Sequence, residues 1–251
     1  MKEKIKISEM FHSIQGEGAT QGTSSIFVRL TACNLQCGGI GTIKDKQLHN
    51  GATWRCDTIE VWTKGKSFTI EKLLSEFDKK EWIHKLKLGT HLVFTGGEPL
   101  LQQIQIMEFV KQIKFLYGFK PFIEVETNGT IMPSKSLINN VELFNCSPKL
   151  SNSGEKINRR MKPDVIKSLV ATGNKAIFKF VISRQEDWEE IKTEWIDVMN
   201  IPRRLIYLMP SADSEKQLKQ NQKTTIDITL ENNVNYSNRL QIQLWNKTTG
   251  V

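Results

Sequence analysis

His91-Leu92-Val93-Phe94-Thr95-Gly96-Gly97-Glu98-Pro99 is the stretch on which the fold turns. A short apolar run ends abruptly in two glycines, a carboxylate and a proline, the sequence form of a buried strand running into a turn. The same shape recurs on either side. Ser25–Leu30 leads to Cys33, Phe122–Glu126 leads into Glu126-Thr127-Asn128-Gly129-Thr130, and Val141–Asn145 leads to Ser147-Pro148-Lys149. Ala176–Ile182, Leu205–Met209 and Leu240–Leu244 are further strand candidates. Between them apolar residues recur at helical spacing: Ile70, Leu73, Leu74, Phe77; then Ile106, Phe109, Val110, Ile113; then Trp188, Ile191, Trp195, Val198, Met199. Strands alternating with helices predict an α/β fold on a parallel sheet. In such folds the chemistry sits at the C-terminal strand ends, so four polar motifs after four strands point to one active-site rim.

A chain of 251 residues can bury one sizeable core, and a single domain over 1–251 is expected. No secretory signal is expected, because MKEKIKISEM has no apolar stretch behind its first lysines. Apolar runs are too short to span a membrane. A cytoplasmic protein is therefore expected. The net charge of +8 favours anionic partners, yet the lysines are scattered, and without an RNA-binding or zinc-finger signature nucleic acid is not the expected partner. The segments 38–55, rich in glycine, and 211–225, rich in Lys and Gln, read as a loop and as solvent-exposed chain.

Of four cysteines, Cys33, Cys37 and Cys56 gather towards the N-terminus and Cys146 stands alone. That asymmetry suggests a three-thiolate metal site rather than a disulfide framework. Cys33-Asn34-Leu35-Gln36-Cys37 places two thiols on one loop; eighteen residues then separate Cys37 from Cys56. On the cysteines alone, zinc and iron–sulfur both stay open. The four histidines show no paired metal spacing, Cys146 reads as a small buried residue, and the Trp188/Trp195 stripe reads as core.

Taken together, Ile14-Gln15-Gly16-Glu17-Gly18, Arg29, the cysteine loop, Cys56-Asp57-Thr58, Gly96-Gly97-Glu98-Pro99, Glu126-Thr127-Asn128-Gly129-Thr130 and Ser147-Pro148-Lys149 resemble the 7-carboxy-7-deazaguanine synthases of the radical S-adenosylmethionine superfamily. The resemblance runs from Ser8 to Val251 and is weakest in the cluster loop and over 186–235. The superfamily's usual CxxxCxxC is interrupted here, so Cys56, followed by Asp57-Thr58, resembles a displaced third ligand and 38–55 an insertion. Lengthening a loop costs only about 0.6 kcal/mol per doubling.

The resemblance implies a compact, modified partial (β/α) barrel. It implies a [4Fe–4S] cluster on Cys33, Cys37 and Cys56, with one iron left open for S-adenosylmethionine. The cofactor would be received by Cys56, Asp57, Gly96, Gly97, Glu98, Glu126, Thr127, Ser147, Pro148 and Lys149. Mg²⁺ would sit on Thr58, and the substrate would meet Ile14, Gln15, Gly16, Glu17, Arg29, Thr95 and Val251. Arg29 suits a substrate carboxylate because its planar fork binds one bidentately; a strand-end ion pair is the plainer alternative. The implied reaction converts 6-carboxy-5,6,7,8-tetrahydropterin to 7-carboxy-7-deazaguanine and ammonia, in a queuosine-type pathway. A flavodoxin-like external electron donor and a homodimer are also implied. The rivals are an activating enzyme for a glycyl-radical partner and a metal-bearing nucleic-acid-binding protein.

Overall fold

Strands β1 (Lys4–Ile14), β2 (Ser24–Leu30), β3 (Lys66–Thr69), β4 (His91–Gly96), β5 (Ile123–Thr127), β6 (Leu143–Cys146), β7 (Ala176–Ile182), β8 (Ile206–Pro210) and β9 (Asn235–Tyr236) join in one sheet. The computed structural model describes residues 4–248 and residue 250. The strand order is β3-β1-β2-β4-β5-β6-β7-β8-β9. β1 runs antiparallel to β2 and β3, and every neighbouring pair from β2 to β9 is parallel. The order never returns on itself, so β3 and β9 are edges and the sheet is an open, partial barrel. Parallel neighbours require crossover connections, and helices such as Gln103–Tyr117 and Pro163–Val170 supply them.

Successive side chains of a strand point to opposite faces, and the sequence uses that alternation throughout. Ile26, Val28 and Leu30 of β2, Leu92 and Phe94 of β4, and Phe178, Phe180 and Ile182 of β7 join one continuous apolar core. Among the intervening positions Arg29, Thr95, Glu126, Asn145 and Lys179 carry polar side chains to a cavity on the other side, beside the apolar Phe27 and Val181. The apolar face is sealed by helices whose large rings interlock edge to face; Phe77 meets Trp82 at 5.1 Å and Phe109 at 5.0 Å between centroids.

Several expectations are corrected. Leu240–Leu244 is not a strand but part of the helix Leu240–Trp245. Its alternating Leu/Gln pattern imitates a strand, but the residues fold against the cavity, where Leu240 N–H donates to the Gly16 carbonyl and Ile242 packs near Ala212 and Leu218. The stretch Lys4–Ile14, not foreseen as a strand, pairs with β2 from Ile7 to Ile14 and with β3 from Lys4 to Ile7. The polar segment 211–225 is not simply exposed: it enters the helix Glu215–Glu231, and Ser211, Leu218 and Thr225 are buried. In the third helical stripe Trp188, Ile191, Trp195 and Met199 are buried, whereas Val198 is exposed. A π-helical segment, Ile191–Ile196, explains this, because its wider turn brings every fourth residue to the inner face.

Trp195 is fully buried against Phe180, with 5.5 Å between ring centroids, and its indole N–H has no partner among the described residues. Trp195→Ala should therefore cost about 3–5 kcal/mol of stability in urea unfolding, and Trp195→Phe distinctly less, since it keeps most of the packing and discards only an unpaired donor.

Candidate active site

The C-terminal ends of the parallel strands open into a cavity of about 770 Å³. Ile14, Gln15, Gly16 and Glu17 line it from the end of β1, Arg29 from β2, and Thr95, Gly96 and Gly97 from β4. Glu126, Thr127, Ser147 and Lys149 follow from β5 and β6, and Cys33, Cys37, Cys56, Asp57 and Thr58 from the cysteine loop. Glu98 and Pro148 are buried and do not line it. Val251 lies outside the described residues.

The cysteine loop leaves β2 without regular structure, so its backbone is held by partners from elsewhere. Gln36 N–H donates to Glu155, Arg159 Nη2 donates to the Asn34 carbonyl at 2.6 Å, and Gly38 N–H donates to the Ser153 carbonyl at 2.8 Å. Cys56 N–H donates to the Cys37 carbonyl at 3.1 Å, so the residues flanking the segment 38–55 are joined directly. The segment packs back on the cavity. It contains a short helix, Thr42–Asp45, Thr53 N–H donates to the Asn152 carbonyl at 2.9 Å, and Trp54 lies 5.7 Å from the Lys149 ammonium.

All three thiols are free and face the same cavity, which fits a three-cysteine cluster. Cys33 Sγ also accepts from Leu35 N–H at 3.5 Å and from Asn128 Nδ2 at 3.8 Å, donors of the kind that tune cluster sulfurs. Burial pushes the Cys33 thiol up to about 11 and raises Cys37 further; metal binding would hold them as thiolates regardless. No set of three His, Cys, Asp or Glu side chains among the described residues converges on one metal ion. Cys146 is fully buried in the core, away from this group.

The glycine pair after β4 exists for backbone proximity. Gly96 has φ +124°, and a Cβ on Gly97 would collide with the Ala32 carbonyl. Glu98 is wholly buried; its carboxylate accepts from Leu100 N–H, Thr127 Oγ1 and Asn128 N–H at 3.0, 2.8 and 2.7 Å. It thus ties the end of β4 to the end of β5, a bond that sequence spacing alone does not show.

Towards β1 the cavity is strongly polar. Arg29 donates through Nε to Glu9 at 2.7 Å, its register partner across the strands, while the residue still lines the cavity. Thr95 Oγ1 donates to Glu126 at 2.5 Å. Glu17 pairs with Lys179 at 2.5 Å and Arg239 at 3.2 Å, and accepts from Gln241 at 2.6 Å. Burial alone would raise the Glu17 carboxyl, but Lys179 and Arg239 outweigh it and hold the group down to about 2. Arg239 also donates to Asp57 at 2.5 Å and to the Ala212 carbonyl. One guanidinium therefore links the residue after Cys56 to the turn after β1. Lys179, Arg239 and Gln241 had not been singled out from sequence. The only signal was a lone lysine inside the apolar run Ala176–Ile182.

An open α/β barrel with three thiols at one end of a polar cavity defines a protein of the single-cluster iron–sulfur class, and the 4Fe-4S single cluster domain family matches residues 14–146. A 7-carboxy-7-deazaguanine synthase of Pyrobaculum aerophilum is 29% identical over 249 residues, covering 98% of this chain and 97% of its own. One from Koribacter versatilis is 31% identical over 185 residues, covering 74% and 68%. The crystal structure of QueE from Escherichia coli shares the fold, with a TM-score of 0.63 and 22% identity over 94% of both chains. The chain belongs to the 7-carboxy-7-deazaguanine synthase family.

Glu17→Gln should destabilise the protein by about 3–5 kcal/mol at pH 7, because Lys179 and Arg239 lose a buried counter-charge. The carboxyl is held near 2 in the folded state against an ordinary 4.5. Its contribution is therefore complete above about pH 4.5 and disappears as the pH falls through about 2. Denaturation curves of the two proteins should converge over that interval.

Proposed function

We propose that the chain is a ring-contracting radical S-adenosylmethionine lyase that converts 6-carboxy-5,6,7,8-tetrahydropterin to 7-carboxy-7-deazaguanine with release of ammonia. One observation carries the reading. Three thiols and an arginine–threonine–glutamate set line one cavity, at the strand ends where such a fold concentrates its chemistry. Cys33, Cys37 and Cys56 would hold a [4Fe–4S] cluster, which would supply the one-electron reduction that cleaves a carbon–sulfur bond of S-adenosylmethionine with release of methionine.

The protein's own residues have narrower tasks. Gly96 and Gly97 let the methionine part of the cofactor approach backbone, with Glu98 bracing the turn beneath. Ser147 and Lys149 hold its adenosyl part, Lys149 Nζ being fixed by the Ser147 hydroxyl at 2.9 Å. Asp57, Glu126 and Thr127 complete that side. Ile14, Gln15, Gly16 and Thr95 frame the flat ring of the substrate, and Arg29 offers its remaining donors to the carboxylate while Glu9 fixes its plane. Thr58, whose hydroxyl stands 3.4 Å from Cys56 Sγ, is an oxygen ligand suited to Mg²⁺ together with substrate oxygens. Val251 is assigned to the substrate by resemblance alone.

The one sheet supports reading the chain as a single domain with an insertion at 38–55. A flavodoxin-like electron donor, a homodimer and a cytoplasmic setting belong to the same proposal. No helix among the described residues is long and apolar enough to cross a membrane. Two positive charges that contribute to the basic balance, Lys179 and Arg239, are buried in the cavity wall, which weakens the case for nucleic acid. Residues of Arg239–Trp245 and of 38–55 line the cavity, which favours a small molecule over a glycyl-radical partner.

Anaerobic reconstitution should give about four iron and four sulfide per chain, and carboxytetrahydropterin should be converted with mass loss matching ammonia. Cys33→Ala, Cys37→Ala and Cys56→Ala should each lose the cluster's absorbance and S-adenosylmethionine cleavage, while Cys146→Ala keeps both. A Cys56→Ala protein that retains cluster and cleavage would overturn the ligand assignment.

A further inference from the structure

Behind the cavity lies a second carboxylate. Glu124, on the same face of β5 as Glu126, is fully buried and has no place in the reaction as described. Gln15 Nε2 donates to it at 2.9 Å and Thr20 Oγ1 at 2.7 Å, with Asn145 Nδ2 more distant at 3.3 Å. Gln15 Nε2 is shared: it also donates to Glu126 at 3.1 Å. Gln15 Oε1 in turn accepts from Glu17 N–H at 3.3 Å. Two carboxylates therefore fix which way the Gln15 amide faces, because a flipped amide would set its oxygen against both. Burial, then the nearby Glu126 charge, pushes the Glu124 carboxyl up to about 7, with Thr20, Asn145 and Lys179 opposing.

We propose that Glu124 is a positioning residue for the substrate pocket: acting through the Gln15 amide, it fixes the turn Gln15–Glu17 and the Glu126 carboxylate against which the substrate ring is held. This rests on the substrate reading given above. The Gln15 and Asn145 amides donate to Oε1 and the Thr20 hydroxyl to Oε2, so the carboxylate form receives three bonds. Protonation at Oε2 turns the Thr20 hydroxyl into an acceptor and leaves the Gln15 amide on a neutral oxygen, a weaker anchor than the charge-assisted bond.

The test uses the reconstituted enzyme with carboxytetrahydropterin between pH 6 and 9, conditions set on either side of the Glu124 transition at about 7. In Glu124→Gln, KM should rise about tenfold or more, the fold-change of one lost charge-assisted bond, while S-adenosylmethionine cleavage without substrate stays at the wild-type rate. The wild-type protein should bind substrate more weakly as the pH drops below about 7, and this limb should be missing from the variant. Thr20→Val, a milder change, removes one donor to the carboxylate and should move the limb to higher pH with a smaller rise in KM. Turnover in which neither variant alters KM or the limb would overturn the role of Glu124, as would a loss of substrate-free cleavage equal to the loss of turnover. A wild-type enzyme without pterin turnover would overturn the substrate reading, and this inference with it.

Discussion

A strand can send alternate side chains to two environments that tolerate nothing in common, and this protein depends on that property. On β7 a lysine stands between phenylalanines; on β2 an arginine stands between valine and leucine. Each apolar neighbour enters the helical side of the sheet, and each charge enters the cavity. A slip of one residue would exchange the two sets, placing Lys179 in hydrocarbon and Phe178 in the site. The chemistry and the core are thus specified by one register.

Charges admitted to the interior then impose a second condition, because a buried ion without a partner is far more costly than a bridged one. Lys179 meets it through Glu17, and Glu17 through both Lys179 and Arg239. Since Arg239 also reaches Asp57, the turn after β1, the middle of β7, the cysteine loop and the segment after β9 share one electrostatic balance. The turn after β1 and the cysteine loop are joined by this network as much as by the sheet.

The strands with motifs at their ends were legible because an apolar run, a glycine or asparagine turn and a polar residue fall in immediate succession. β2, β5 and β7 begin and end within a residue of their expected limits. β1 was hidden by its mixed composition, with Met10 and Phe11 set between Ser8-Glu9 and His12-Ser13 and no strict alternation to mark a strand. Leu240–Trp245 was misread because alternation is a strand signal only when a neighbouring edge is present, and here the segment folds over the cavity instead. The site was legible where short motifs carry it. Lys179, Arg239 and Gln241 were not, since a charge's partner 162 or 222 residues away leaves no local trace. Glu98 shows the converse: it sits in the most legible motif, yet its bonds reveal a brace between strands.

The hydrogen bond between Cys37 and Cys56 makes the intervening segment a detour that leaves and rejoins the path at almost the same point. Distance along the chain and distance in space are decoupled there. Such an excursion could be longer or shorter while the two cysteines stay side by side, so their spacing in sequence says little about their separation in space.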